Sequence, residues 1–598
     1  MKYRAILAFI IAIQFQINAE RTPENVVITN ATDKYEFVAA PGGKTKVKNR
    51  MTTEYIATTH NTSIQPFAFY NTYITLDKAS GQGKAKYGDV RRNAIFHDDS
   101  KICYFDVNCE LDEKEKVEFR RTFTDAIFCN RVPICDEYPI KRKTIIFSIP
   151  ESLSSITLIE RNMPDSGVDR KESTAGGKRR IEYTFTDLPA LNRDEDFLPS
   201  IHSYPQILVT GTFANLDSLY QWYHGHENVD REIPGIKNLL SEIAQGCDSK
   251  RELLERTFRW VQGNIRYIAF EDKDAAWRPD TPAEVIRKRY GDCKGMALLT
   301  ATLLNAQGIE AHTASVGTTD IPYNPSEIPT LASINHEICV AYLDGNPVFL
   351  DATCNYIPAG FIPGSIQGKE CIADRGDTFE CITIPKLPPS ASTDRMTYSY
   401  TLTDEGLSGN ATRTLTGDMK EWLLTDLNNR KKEYHDEFLM KAVIPTTGCA
   451  VDRNATLETC TDGTDAIIRG TVLNPSGVTH AEESIFIDLN TDAEPFVTKI
   501  DTKKRENALS LPARCLISRE STLSIPEGFH VDEIPSNWSM TTPHLKLSAE
   551  FRRESGSVKL TKSIEIEDTD IPLSRIEEFN RAISELNRAC SEQIELKK

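Results

Sequence analysis

Apolar and polar residues alternate with a period of two over long stretches at both ends of this chain, and with a helical period between them. The runs at 48–57, 67–76, 144–149 and 180–185 are the clearest near the start. In Arg180-Ile181-Glu182-Tyr183-Thr184-Phe185, every second residue is apolar. Gly42-Gly43, Asp98-Asp99 and Gly176-Gly177 punctuate these runs. Short strands at this spacing predict an antiparallel β-sandwich over the first third of the chain. Alternation returns from 397 to about 568, as in Thr397-Tyr398-Ser399-Tyr400-Thr401-Leu402, and predicts a second β-sandwich. A helical stretch at 418–443 interrupts it. An amphipathic helix over 572–594, with Ile576, Phe579, Ile583 and Leu586 on one face, closes the chain.

Helical signals dominate the middle. Ser249-Lys250-Arg251-Glu252 has the form of a capping box, and the helix it opens carries Leu254, Phe258 and Val261 on one face, ending by Gly263. Thr281-Pro282-Ala283-Glu284 is a second capping box, with proline at the first helical position. That helix ends at Tyr290-Gly291. Asp292 then leads into a third helix, 293–306, stopped by Gln307-Gly308. It is apolar nearly all round, the mark of a buried helix. Strands follow at 311–316, 336–343 and 347–351, and the proline-rich 385–389 reads as a linker.

The chain has 598 residues, enough for several domains of about 150 residues each. The expected division is a leader at 1–19, a β-rich domain at 20–214, a mixed core at 215–389 and a second β-rich domain with its closing helix at 390–598. A net charge of -17 argues against nucleic acid or anionic lipid as the main partner. Lys2 and Arg4, the apolar run 5–13 and the small Ala19 have the form of a cleaved secretory segment, so the expected location is the periplasm or the cell surface. No later stretch is long and apolar enough to cross a membrane. The 14 cysteines suit an exported chain, and local spacings offer the pairs Cys103–Cys109, Cys129–Cys135, Cys371–Cys381 and Cys449–Cys460. His224-Gly225-His226 reads as a surface loop rather than a metal site, and no metal or other cofactor is expected.

One constellation carries chemistry. Cys293 stands at a helix N-terminus, where unpaired N–H groups and the helix dipole favour a thiolate. His336 and Asp351 follow on neighbouring strands. Asp344-Gly345 is a two-residue hairpin signal, and with those residues as the loop Tyr342 faces Pro347 and Ile338 faces Asp351. His336 then shares a sheet face with Asp351 as its diagonal neighbour, roughly 7–8 Å away at the backbone. A nucleophile, a base and an orienting carboxylate in this order point to acyl transfer through Cys293, His336 and Asp351. Each residue alone has a duller reading: a small core thiol, a structural histidine, a turn aspartate. Their joint placement favours the chemical one. Lys294 is read as a surface or structural residue.

These residues also resemble a known family. Asn264-Ile265-Arg266-Tyr267, Arg278-Pro279, Tyr290-Gly291-Asp292-Cys293-Lys294, Asn335-His336-Glu337 and Phe349-Leu350-Asp351-Ala352-Thr353 are similar to motifs of the bacterial transglutaminase-like superfamily. The flanking regions resemble the β domains that often precede and follow that core in exported relatives. The resemblance implies a multidomain α+β chain with a central papain-like core, in which Cys293 is nucleophile, His336 base and Asp351 orienting group. Gly295 departs from the acidic residue many relatives carry there. The Cys293 backbone N–H is the natural first oxyanion donor, with Trp277 and Tyr267 as candidates for shaping or supplying a second. The expected activity is that of an exported thiol enzyme acting on a peptide, protein or other amide through a thioester, with hydrolysis weighed no lower than crosslinking. The rival reading is a non-catalytic envelope protein that binds peptide or glycan on the same scaffold.

Overall fold

The computed structural model describes residues 25–90, 96–191, 200–443, 450–451, 455–459, 465–490, 500–502, 505 and 507–598. The leader expected at 1–19 and the Cys449–Cys460 pair lie outside them. The chain is a multidomain α+β protein, as its periodicities predict.

The first domain is built on β1 (Val26–Ala39), β2 (Thr45–Ala57), β3 (Lys114–Phe123), β4 (Ile140–Pro150) and β5 (Lys178–Leu188), the centre of a seven-stranded sheet. Its central order is β5-β4-β1-β2-β3. The sheet departs from the expected antiparallel pattern at one place: β1 and β4 run parallel, Tyr35 opposite Phe147. That pairing joins two antiparallel units, and Phe37, Phe147, Tyr183 and Phe185 are buried beneath it. Completely burying such side chains contributes about 1.5–3 kcal/mol each.

The core domain contains α1 (Leu216–Glu227), α2 (Lys250–Asn264), α3 (Pro282–Lys288) and α4 (Cys293–Ala306). Its antiparallel sheet comprises β6 (Ala311–Val316), β7 (His336–Leu343), β8 (Asn346–Leu350), β9 (Glu370–Asp374) and β10 (Phe379–Thr383), in the order β8-β7-β6-β9-β10. Ten residues of α4 are buried, as its composition demands. Met296, Leu299 and Leu303 pack with Phe258 and Val261 of α2 and with Cys339 and Ala341 of β7. On the sheet's other face, Ile338, Val340 and Phe349 pack against Ile362 and Ile366. His224 and His226 lie on α1, not on a loop. Leu219, Tyr220 and Tyr223 recur along that helix at helical intervals and are buried, which fixes the face it turns inward.

The last domain repeats the device of the first. The hairpin of β11 (Thr393–Thr403) and β12 (Gly406–Thr416) lies parallel, through β11, to β13 (Cys515–Ser524) in a nine-stranded sheet. The stretch expected as one helix at 418–443 is two: α5 (Gly417–Asn429) and a second over His435–Val443, because the chain leaves helical geometry at Arg430. Gly417 has φ +55, and a Cβ there would lie 2.5 Å from Ser392 Oγ, so glycine is needed. The closing helix α6 (Ile576–Cys590) is followed by a strand, Ile594–Lys597.

The remaining local cysteine pairs are not bridged: Cys103, Cys109, Cys129, Cys135, Cys371 and Cys381 are free thiols. Cys103 and Cys109 belong to strands of different sheets. In the β9–β10 ladder Cys371 opposes Ile382 and Cys381 opposes Ile372, which sends the two thiols to opposite faces.

Candidate active site

Cys293 is the first residue of α4, and Asp292 is its N-cap. Asp292 Oδ1 accepts the Gly295 N–H at 2.9 Å, satisfying one of the unpaired donors of the first turn. Its Oδ2 takes the Lys294 ammonium, so Lys294 is buried beside the nucleophile rather than lying on the surface. Gly295 is tight against α3: a Cβ would come within 3.2 Å of Val285 Cγ2 and 3.4 Å of Asp292 Oδ1. The acidic residue common in relatives would have to displace Val285.

The hairpin joining β7 and β8 has the expected register, Leu343 opposite Asn346 and Tyr342 opposite Pro347. Asp344 and Gly345 both have positive φ, 51° and 78°, as a type I′ turn requires. His336 opens β7, and Asp351 directly follows β8. His336 Nε2 lies 2.9 Å from Asp351 Oδ2, and the ring lies near enough to the Cys293 thiol for the two to interact. Asp351 Oδ1 accepts two further bonds from Thr353, from its N–H at 3.1 Å and its hydroxyl at 2.6 Å. Asn335 steadies the start of β7, its side chain accepting the Thr318 N–H at 2.8 Å. The structure thus brings together all three residues singled out from sequence.

Burial alone would lower the pKa of His336, but the charge and hydrogen bond of Asp351, together with the neighbouring Cys293, outweigh it and raise the imidazole to about 10. Burial alone would raise Asp351, which is 3% exposed; the His336 charge, together with the bonds from His336 and Thr353, holds it below the ordinary carboxylate range. The pair is therefore built to be an imidazolium and a carboxylate at neutral pH.

Against known families, residues 237–342 match the transglutaminase-like superfamily, and residues 485–596 match a domain of unknown function, DUF3858. Residues 237–342 form a transglutaminase-like domain. The match contains Cys293 and His336, while Asp351 lies just beyond its end. None of the curated proteins compared with the chain matches it. Among solved structures, a "putative protease" from Parabacteroides distasonis superposes with a TM-score of 0.60 at 12% identity, covering 96% of this chain and 100% of that one. That likeness establishes a shared fold over nearly the whole chain. An M1 zinc metallopeptidase from Deinococcus radiodurans, at 10% identity, covers 31% of this chain and 43% of that one, with a TM-score of 0.19 too low to carry an argument.

Other residues of the transglutaminase-like domain escaped the sequence reading. Glu337 follows His336 on β7, so its side chain takes the face toward α4, where it is buried against Glu227 of α1. Thr313 donates its hydroxyl to Glu227 Oε2 at 2.9 Å. Burial pushes both carboxyls up, helped at Glu227 by the charge of Asp374 and at Glu337 by that of Glu227, while hydrogen bonds from Thr313 and Glu337 offset part of the rise at Glu227; the pair thus holds a proton that isolated carboxyls would lose. The signal available in the sequence was a charged residue at a position whose neighbours in alternation, Cys339 and Ala341, are core. Tyr267 pairs through its backbone with Gly291, and Trp277 sits in an aromatic cluster with Tyr73 and Phe128 of the first domain and with Trp222. Trp277 thus joins two domains. Among the described residues, no group of three or more His, Cys, Asp or Glu side chains could hold a metal ion.

Proposed function

We propose that this chain is a thiol enzyme that cleaves or transfers acyl groups from amides, with Cys293 as nucleophile, His336 as proton carrier and Asp351 as the group that orients and charges the ring. The observation that carries this reading is the meeting of a helix N-terminal cysteine with a histidine already bonded to a buried carboxylate. The superfamily match over 237–342 supports it.

In the proposed reaction the Cys293 thiolate attacks the amide carbonyl, forming an S–C bond. The Cys293 N–H at the start of α4 faces the developing oxyanion. As the C–N bond breaks, the His336 imidazolium gives its proton to the leaving amine, and a thioester remains. Water then attacks the thioester, gives up a proton to His336 and releases the acid; an amine in place of water would yield a new amide. The segment at 1–19 supports action outside the cytoplasm, on peptides or proteins of the envelope or surroundings.

The test is site-resolved alkylation of the mature chain by iodoacetamide at mildly acidic pH, with peptide turnover measured alongside. Selective labelling of Cys293, lost in His336→Ala, together with turnover lost in a folded Cys293→Ala variant, is the expected result. Unchanged turnover in Cys293→Ala would refute the proposal.

A further inference from the structure

A cleft of about 190 Å³ opens beside the N-terminus of α4, its wall ending at Asp292, the residue before Cys293. Phe270 and Tyr290 form an aromatic side, their rings 5.4 Å apart. Phe270 is held from behind by His97 of the first domain, stacked at 5.2 Å. Near this end the strand Phe96–Asp98 also pairs with Ala269–Glu271. The cleft is therefore shaped by two domains together.

Its charges are unevenly engaged. Lys288 Nζ grips both oxygens of Asp280, at 2.8 and 2.9 Å. Asp292 is taken by Lys294 and by the Gly295 N–H. Asp272 is engaged within the protein. Arg278 differs: its backbone N–H is anchored on the Asp274 carbonyl at 2.7 Å and its neighbour Pro279 is buried, yet its exposed guanidinium makes no ion pair or hydrogen bond with any described residue. A fixed backbone presenting an unengaged guanidinium at the rim of a cleft suits bidentate capture of a carboxylate.

We infer that Arg278 binds a carboxylate of the substrate, so that the preferred amides carry an acidic group close to the bond that Cys293 attacks. This rests on the thiol chemistry proposed above and narrows its substrate class. The apolar ring faces of Phe270 and Tyr290 would take the methylene groups that lead to that carboxylate. The carboxylate could belong to a side chain or to a chain terminus, and the two are separable by experiment.

The probes are three iodoacetyl amides: of glutamic acid α-amide, with a side-chain carboxylate; of glutamine, with a terminal carboxylate; and of glutamine amide, which is neutral. Each alkylates Cys293 by forming an S–C bond as iodide leaves, and the rate is read by mass spectrometry on the full chain. At least one acidic probe is expected to label about tenfold faster than the neutral one, the scale of one charge-assisted bidentate contact. The faster of the two acidic probes identifies the source of the carboxylate. In Arg278→Gln the ratio of acidic to neutral rates is expected to fall to about one, while Arg278→Lys retains part of it. Equal rates in the wild type, or a preference that survives Arg278→Gln, would overturn this inference and leave the thiol chemistry standing. Failure of all three probes and of iodoacetamide to label Cys293 would overturn both.

Discussion

The carboxylate of Glu421, in the last domain, accepts the backbone N–H of Tyr356 at 2.6 Å. It also accepts that of Asn355 at 3.1 Å. Both belong to the loop that leaves Asp351, so a helix of another domain holds the segment carrying the orienting carboxylate. Asp418, one turn earlier on α5, accepts the Gly364 N–H at 3.2 Å and extends the clamp. Glu421→Ala would leave two N–H groups without their acceptor, at a cost of about 1–3 kcal/mol each if they stay buried. A lower unfolding midpoint and slower Cys293 alkylation are expected, although Glu421 touches neither Cys293 nor His336. Alkylation at the wild-type rate would show that the loop is held without this clamp.

Protonation of His336 should persist far above the usual imidazole range. With its pKa raised to about 10 by Asp351 and Cys293, the ring stays charged through neutral pH, and ring titration followed by NMR should show no midpoint near 6.5. In Asp351→Asn the largest charge partner is gone and the midpoint should fall. Because the folded value lies above the unfolded one, the stability contributed by His336 is complete below about pH 6.5 and is lost as pH rises through about 10.

Two buried carboxyls at the domain junction act in the same direction. Burial, only partly offset by bonds from Gly364 and Ser392, raises Asp418 to about 6; burial likewise raises Glu421 to about 7 against its bonds from Tyr356 and Asn355. The folded chain keeps protons that the unfolded chain releases near about pH 4, so their contribution is present at low pH and is lost as pH rises through about 6 to 7. The scale is of order 3 kcal/mol for each group. Chemical denaturation should give a higher midpoint for the core–junction transition at about pH 5 than at about pH 8. Asp394 opposes this at the acid end: despite its burial, Arg413 and Arg519 hold it well below the ordinary range, so its contribution is lost as pH falls below about 4.

Glu337→Gln should stabilise the core domain, and more so at about pH 8 than at about pH 5. At low pH the Glu227–Glu337 pair already shares a proton, and the amide replaces that donor. At high pH the wild type must keep on Glu337 a proton that the unfolded chain releases, or bury a second charge beside Glu227, and the amide avoids both costs. A midpoint equally changed at both values would show that the two carboxyls do not interact.

Much of the site is legible in the amino-acid sequence. A helix start at Cys293 follows from the cap Asp292 and the apolar run after it, and the I′ turn at Asp344-Gly345 sets the strand register that brings Asp351 to the face of His336. These are local rules, in which one residue's geometry constrains its near neighbours. The strand runs of both flanking domains were visible for the same reason, whereas the parallel pairings of β1 with β4 and of β11 with β13 were not, because nothing local distinguishes a parallel from an antiparallel neighbour.

Tertiary structure alone decided the rest. Lys294 is buried because Asp292 turns back to meet it, and Glu337 is buried because Glu227 arrives from a helix about a hundred residues earlier in the chain. Glu421 reaches the loop after Asp351 only through domain packing, and Phe270, in the wall of the cleft that ends at Asp292, is backed by His97 from the first domain. Periodicity reports which face of an element is apolar, but not which distant element covers it. Long-range electrostatics and the walls of a cleft depend on that second fact, and so the triad could be read from the chain while its surroundings could not.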